Sequence, residues 1–141
     1  SYVCLHVGLG TFRPVSTEDI FEHKMHTEIF DIDSEELKKI NSNKKRIAVG
    51  TTSLRVLESC YQNGEIKLPQ EKPYATDIFI YPGVDVKSIT GLITNFHLPK
   101  STLLMLVSAF VGREKTLELY EIAKKNDYRF YSYGDGMLLL K

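Results

Sequence analysis

The stretch from Gly91 to Met105 constrains the fold more than any other part of the chain. Residues 92–96 are bulky and partly β-branched, which predicts a strand. Pro99 prevents a helix from beginning before it, because a residue that precedes proline is pushed toward extended geometry. Ser101 or Thr102 is then expected to cap an apolar helix. The sequence therefore predicts a strand, a polar turn and a buried helix.

The polar turn of this stretch has the residue types of a binding site. If the strand continues through His97, then Asn95 and His97 lie on one face of it. Lys100, Ser101 and Thr102 follow at the predicted start of the helix, where free backbone N–H groups and the helix dipole favour an anion. We therefore expect these five residues to contribute to one site.

A second junction of the same kind occurs earlier in the chain. Residues 46–50 are typical of a buried strand, and Thr51, Thr52 and Ser53 lead into a helix that contains Arg55. Three hydroxyls exceed what capping of one helix requires. A second anion or ribose site and simple capping are both compatible with this pattern.

The order of predicted elements indicates one α/β domain over residues 1–141. Strands and helices alternate, with no internal repeat or dividing linker, so we expect a mixed, largely parallel sheet with flanking helices. Ligands of such sheets bind beyond the carboxyl ends of strands, where both hydroxyl-rich junctions lie. Another strand is predicted over 76–81, with Asp77 at its start, and a helix from Asp33 to about Ile40.

Composition narrows the functional classes. The 18 lysines and arginines balance the 18 aspartates and glutamates, so contact with nucleic acid requires a local basic patch. Cys4 and Cys60 match no disulfide or zinc pattern, and we interpret both as buried thiols in a reducing compartment. The longest nearly apolar run, 103–111, is about half of the roughly 20 residues that span a bilayer. The chain begins within an apolar run, which suggests a piece of a longer protein.

Three smaller patterns have competing interpretations. His26 and Glu28 share a face if the segment is extended, which suits either a carboxylate that orients an imidazole or a surface hydrogen bond. The basic turn 44–46 suits either phosphate binding or a solvated cluster. The glycines of 8–10 resemble a dinucleotide-binding loop poorly, and a tight turn is the better interpretation. Ser16 or Thr17 is expected to cap a short helix.

The longer motifs resemble one known family. They comprise Leu5–Phe12, Met25–Glu28, Ala48–Ser53, Thr76–Gly83 and Gly91–Met105, and the similarity continues through 107–113 and 129–140. These segments resemble, in order, the S-adenosylmethionine:tRNA ribosyltransferase-isomerases of queuosine biosynthesis.

The resemblance implies a reaction and an architecture. The family moves the ribosyl portion of S-adenosylmethionine onto a 7-aminomethyl-7-deazaguanine base in the tRNA anticodon. The product is epoxyqueuosine, and adenine and methionine are released. The implied fold has two domains, of which this chain would be the carboxyl-terminal part of the main α/β domain, without the N-terminal portion and inactive alone. The implied partners are tRNA and S-adenosylmethionine, with no metal and no membrane, in a cytoplasmic enzyme that is monomeric at full length.

Within that resemblance, the site residues receive hypothetical roles. His97 and His26 are the candidate proton carriers, Glu28 would orient His26, and Asp77 is a reserve base. Ribose, the methionyl carboxylate or tRNA phosphate would be bound by Thr51, Thr52, Ser53, Arg55, Asn95, Lys100, Ser101 and Thr102.

Two other functional classes remain open on the sequence. In the first, the chain binds tRNA without chemistry of its own, and Lys44, Lys45, Arg46 and Lys100 hold phosphate. In the second, His23, His26 and His97 form the metal site of a hydrolase, although no metal-specific spacing such as H-E-x-x-H is present.

Overall fold

A computed structural model describes residues 1–8 and 19–141 of the chain. The sequence interpretations that involve Gly10, Ser16 and Thr17 lie outside these residues. The strands of the described part are β1 Cys4–Leu5, β2 Glu28–Asp31, β3 Ile47–Val49, β4 Tyr61–Gln62, β5 Glu65–Ile66, β6 Tyr74–Thr76, β7 Gly91–Asn95 and β8 Gly136–Leu140. Its α-helices are α1 Ser34–Ser42, α2 Thr51–Ser59, α3 Thr102–Val111 and α4 Arg113–Lys125, and short 3-10 helices cover Ile20–Glu22 and Tyr131–Tyr133.

The sheet that positions the candidate site has the strand order β3-β7-β8. β3 pairs with β7 in parallel, with Ala48 opposite Leu92, and β8 pairs with β7 in antiparallel orientation, with Leu139 opposite Leu92. These three side chains are buried in the hydrophobic core. Because side chains alternate along a strand, the neighbours of each of them project from the opposite face.

A second sheet has the order β1-β2-β6 and is antiparallel throughout, and β4 and β5 form a separate two-stranded ladder. The mixed α/β class predicted from the sequence is confirmed. A largely parallel sheet is not found in the described residues, where β3–β7 is the parallel pair and the other four ladders are antiparallel. The strands divide among small sheets and do not form one continuous layer.

The two consecutive helices α3 and α4 meet at one glycine. Ser101 caps α3, because its hydroxyl accepts a hydrogen bond from the Leu104 N–H. Gly112 ends α3 and precedes the first residue of α4, with a φ of 90° that L residues rarely adopt. Leu106, Val107 and Phe110 of α3 are buried, as expected for a helix that is apolar nearly all round.

Two details of the sequence interpretation are wrong. The strand predicted over 76–81 lies earlier, at Tyr74–Thr76, so Asp77 follows β6 and does not begin a strand. Here the pairing with β2 decides the strand, and the apolar run after Asp77 packs as irregular chain.

Cys4 is exposed, whereas Cys60 is buried. Burial raises the pKa of the Cys60 thiol to about 11, which keeps it protonated and unreactive.

Arg46 of the predicted basic turn is a structural residue. Its side chain is buried, and its guanidinium donates to the carbonyls of Ile40 at 3.0 Å, Gly64 at 3.1 Å and Ser88 at 3.3 Å. Three segments that are distant in sequence are therefore joined by one cation. This arrangement excludes Arg46 from phosphate binding, because its donors are already used within the fold.

Helix α1 starts where the sequence predicts it, because Asp33 caps it: the Asp33 carboxylate accepts a hydrogen bond from the Glu35 N–H at 2.8 Å. In the ranges that the structure describes, no helix is long and apolar enough to cross a bilayer.

The substitution Arg46→Met is expected to lower the free energy of unfolding by about 3 kcal/mol, because three carbonyls lose a buried charged donor. Urea denaturation measures this change. The matched control is Lys45→Met at the exposed neighbouring position, for which we expect a change within about 0.5 kcal/mol. Equal effects of the two substitutions would contradict the structural role of Arg46.

Candidate functional site

A cavity of about 290 Å³ lies where β7 ends. Its walls come from the start of α2, the carboxyl end of β7, the turn into α3 and the 3-10 helix near the end of the chain. The lining residues are Gly50, Thr51, Thr52, Thr94, Asn95, Phe96, His97, Leu98, Ser101, Leu103, Tyr131 and Ser132.

The parallel pairing of β3 with β7 brings the two predicted junctions together. Val49 is opposite Ile93, and the Gly50 N–H continues the ladder by donating to the Ile93 carbonyl at 2.8 Å. Because parallel strands end at the same edge of a sheet, Thr51 and Asn95 come to the same cavity. The sequence prediction that ligand-binding groups gather at strand ends is consistent with this geometry.

His97 is held on both its ring and its backbone. The ring Nε2 lies 2.9 Å from the Thr94 hydroxyl, and the backbone N–H donates to the Tyr120 hydroxyl at 2.7 Å. Burial lowers the pKa of His97 from 6.5 to about 4. The imidazole is therefore neutral at pH 7.

Tyr120 contributes to the site from α4. Burial raises the pKa of its phenol, an effect that the hydrogen bond from the His97 N–H partly opposes. The phenol thus remains protonated at neutral pH and acts as a hydrogen-bonding group that fixes the His97 backbone.

An aromatic cluster supports the turn that carries His97. The buried ring of Phe96 contacts Tyr120, Tyr128 and Phe130, with centroid separations between 5.0 and 5.9 Å. The N–H of Tyr131 donates to the Phe96 carbonyl at 2.9 Å, and Tyr131 has a φ of 65°, which is uncommon for a bulky residue. Such local strain persists where the surroundings enforce it, and it occurs here at a cavity wall.

The two helix starts at the cavity differ. The N-terminus of α3 is closed by the hydroxyl of Ser101, which also donates to the Leu98 carbonyl at 2.7 Å. α2 begins after Gly50, which has no side chain to cap it. Thr51 and Thr52, the first residues of α2, line the cavity, and this helix start has no side-chain cap, so it is the more suitable of the two ends for an anion.

Five of the residues predicted from the sequence line this cavity: Thr51, Thr52, Asn95, His97 and Ser101. Three others from the same junctions lie outside its lining. Ser53 donates to the Val49 carbonyl, and Lys100 is exposed with a φ of 57°. The hydroxyl of Thr102 is buried and has no hydrogen-bond partner among the described residues.

Arg55 and Glu28 form a buried pair away from the cavity lining. The Arg55 Nη1 donates to the Glu28 carboxylate, and both side chains are almost fully buried. The other Glu28 oxygen accepts a hydrogen bond from the Gly8 N–H at 3.0 Å. Nε and Nη2 of Arg55 have no hydrogen-bond partner within the described ranges. The pair fixes α2 against β2 and the end of the segment 1–8.

His26 and Asp77 are exposed and lie at one end of the β1-β2-β6 sheet. Glu28 pairs with Thr76 in the antiparallel ladder, so the residues before β2 and after β6 are at the same edge. The structure thus groups His26, Glu28 and Asp77 around that edge, whereas His97 belongs to the cavity.

Thr94 and Tyr120, which hold His97, are two site residues that sequence reasoning missed. Strand alternation assigns Thr94 and Asn95 to opposite faces, but β7 ends at Asn95 and the chain turns, which returns His97 to Thr94. Thr94 and His97 are three residues apart shortly before Pro99, and this spacing is only a weak indication of such a turn. Tyr120 lies 23 residues away from His97, and no local pattern indicates this contact.

Within residues 1–8 and 19–141, no group of three His, Cys, Asp or Glu side chains is placed to hold a metal ion. His23, one of the three histidines of the metal hypothesis, instead packs on Phe79 at a centroid separation of 5.3 Å.

Comparison with known proteins identifies relatives over nearly the whole chain. Residues 1–139 match the family described as "Queuosine biosynthesis protein". The S-adenosylmethionine:tRNA ribosyltransferase-isomerases of Carboxydothermus hydrogenoformans and Acetivibrio thermocellus are each 59% identical to this chain, over 98% and 99% of it. The crystal structure of an S-adenosylmethionine tRNA ribosyltransferase from Thermotoga maritima is 43% identical, with a TM-score of 0.69 over 80% of the chain. The chain spans 41% of the length of each of these proteins.

The lowered pKa of His97 predicts an acid-sensitive contribution to stability. Unfolded His97 takes up a proton near pH 6.5, whereas folded His97 does so only near pH 4. The free energy of unfolding therefore decreases as the pH falls below 6.5. The part of this decrease that is due to His97 reaches about 3 kcal/mol near pH 4. The variant His97→Gln should show a shallower pH dependence in urea denaturation between these values. Parallel pH curves for the two proteins would contradict the assigned shift.

Proposed function

Because the chain belongs to the queuosine biosynthesis family, which it matches over residues 1–139, we propose that it provides part of the site for ribosyl transfer from S-adenosylmethionine to tRNA. The acceptor in this proposal is the 7-aminomethyl-7-deazaguanine base of the anticodon. The product is epoxyqueuosine, and adenine and methionine leave. The observation that carries the proposal is the family match together with the cavity that joins both hydroxyl-rich junctions.

The activity is proposed for a polypeptide of the length of the relatives. The chain spans 41% of that length, so the remaining walls of the site would come from the larger part of the family sequence. A suitable protein for testing is a chimaera in which this chain replaces the matched segment of the Carboxydothermus hydrogenoformans relative.

The open N-terminus of α2 would bind the anionic part of a substrate. Its first N–H groups and the hydroxyls of Thr51 and Thr52 converge on the cavity. The methionyl carboxylate of S-adenosylmethionine and a tRNA phosphate share this chemistry. Asn95 supplies an amide at the opposite wall, which suits hydrogen bonds to ribose hydroxyls.

His97 would act as a proton carrier in the transfer. The imidazole is neutral at pH 7, which is the state that a base requires. In the tautomer whose Nε2–H donates to Thr94, the lone pair of Nδ1 is available for a proton. Because the pKa is about 4, the protonated ring is short-lived and passes the proton on, so the role is a relay.

The remaining predicted residues have supporting roles in this proposal. His26, with Glu28 and Asp77 at the same sheet edge, would form a second proton-transfer group. Arg55 is buried, paired with Glu28 and outside the cavity lining, so its proposed role is to hold α2 in place beside the bound substrate. Ser53, Lys100, Ser101 and Thr102 would position the helix starts or contact phosphate.

The substitution His97→Gln in the chimaera is expected to lower the rate of adenine release by about 100-fold or more, because proton transfer by a positioned side chain contributes on this scale. Chromatography of released adenine measures the rate. Binding of S-adenosylmethionine, measured by calorimetry, should change little.

The control is Thr94→Val, which removes the hydroxyl that orients the ring and retains the imidazole. We expect an intermediate rate for this variant. Unchanged adenine release by His97→Gln would exclude His97 from the chemistry.

A tRNA-binding part without chemistry of its own is the second candidate function. The exposed lysines Lys44, Lys45 and Lys100 favour it, whereas Arg46 is removed from the basic set by its buried hydrogen bonds.

For this second function, the substitution Lys100→Gln is expected to lower the affinity of the chain for an anticodon stem-loop and to reduce the slope of log K against log[salt] by about one. Fluorescence anisotropy at several salt concentrations measures both. Glu114→Gln at an exposed position of α4 is the control. Binding without any dependence on Lys100 would argue against phosphate contact at this turn.

A further inference from the structure

One face of the β3-β7-β8 sheet is apolar and exposed. Five large aliphatic side chains have exposed fractions between 39% and 68%: Ile47 and Val49 of β3, Ile93 of β7, and Leu138 and Leu140 of β8. We call these residues the bare sheet face. Single exposed aliphatic residues are common on proteins, but a contiguous group usually marks an interaction surface.

Strand register makes the five residues contiguous. Val49, Ile93 and Leu138 are directly opposite one another and form one row across the three strands. The neighbouring row contains Ile47, Gly91 and Leu140. A Cβ atom at Gly91 would lie 2.9 Å from the Leu140 side chain and 3.1 Å from that of Ile47. The two aliphatic side chains therefore close over the glycine, and the apolar surface continues across the row.

The other face of this sheet is covered, since Ala48, Leu92 and Leu139 belong to the hydrophobic core with residues of α2 and α3. Purely parallel sheets occur almost only with helices on both faces, and antiparallel sheets that leave one face to solvent carry polar side chains on that face. A sheet that contains the parallel pair β3–β7 and exposes five aliphatic side chains thus lacks one layer.

We propose that the bare sheet face docks an amphipathic helix supplied by the part of the family polypeptide that lies outside this chain. The rest of the family polypeptide is the source of this helix, because this chain spans only 41% of the length of the relatives. The parallel pair favours a helix over a second sheet. The apolar stripe of the helix would cover the two rows, and its polar face would be toward solvent.

The position of the bare sheet face relates this docking to the candidate site. Asn95 follows the row of Ile93 on the same strand face, and it is exposed and lines the cavity. A helix over the two rows would end beside Asn95. The docked layer would thus supply a further wall of the cavity, and ligand affinity would depend on docking.

The first experiment measures protection of the bare sheet face in two contexts. Leu138→Cys is introduced into the isolated chain and into the chimaera described above, and maleimide labelling at this position is followed by peptide mass spectrometry. We expect labelling to be at least tenfold slower in the chimaera. Ile122→Cys is the matched control, because Ile122 is similarly exposed at 47% on α4, and it should be labelled at similar rates in both proteins.

The second experiment measures the contribution of the apolar contact. The double substitution Val49→Thr and Ile93→Thr keeps β-branched side chains in the row and makes them polar. It should change the unfolding midpoint of the isolated chain by less than about 2 °C and lower that of the chimaera by about 5 °C or more. The difference between the two contexts reports burial of the row.

Each result bears on the proposal. Slower labelling together with selective destabilisation of the chimaera supports a docked layer. Equal labelling of Leu138→Cys in both contexts overturns it. A homodimer of the isolated chain in sedimentation, dissociated by the threonine substitutions, also overturns it by assigning the face to a second copy. Neither experiment measures catalysis, so the outcome is independent of the proposed function.

Discussion

The parallel pairing of β3 with β7 is the interaction on which the candidate site depends. It aligns the ends of two strands that lie more than forty residues apart in the chain, and Gly50 extends the ladder by donating to the Ile93 carbonyl. The start of α2 then opens onto the turn that carries His97. Without this pairing, the two hydroxyl-rich segments would be separate helix starts with no common cavity.

The two sides of the cavity differ in polarity and in how closely they are packed. The α2 side is a helix start without a side-chain cap, whereas the His97 side is packed on the aromatic cluster around Phe96. The same burial that keeps His97 neutral also strengthens its hydrogen bond to Thr94, because water competes less for either partner. Because the imidazole is neutral, an anion bound at the start of α2 would not form an ion pair with it.

Much of the local structure could be predicted from the sequence, because local signals decide it. Pro99 and Ser101 fix the start of α3, and Asp33 fixes the start of α1. Contacts between distant segments could not be predicted in this way. The burial of Arg46 depends on carbonyls from three other segments, and the Tyr120 contact depends on how α4 packs. The position of β6 likewise depends on pairing with β2, which no periodicity within 74–81 encodes.

Gly112, at the N-terminal end of α4, affects the cavity through the position of this helix. As the one residue between α3 and α4, it sets the angle between them through a backbone conformation that other residues rarely adopt. Tyr120 is about two turns along α4. A small rotation of the helix at the glycine therefore produces a larger displacement of the phenol that holds the His97 backbone. The position of the imidazole thus depends partly on a residue at the carboxyl end of α3, outside the cavity walls.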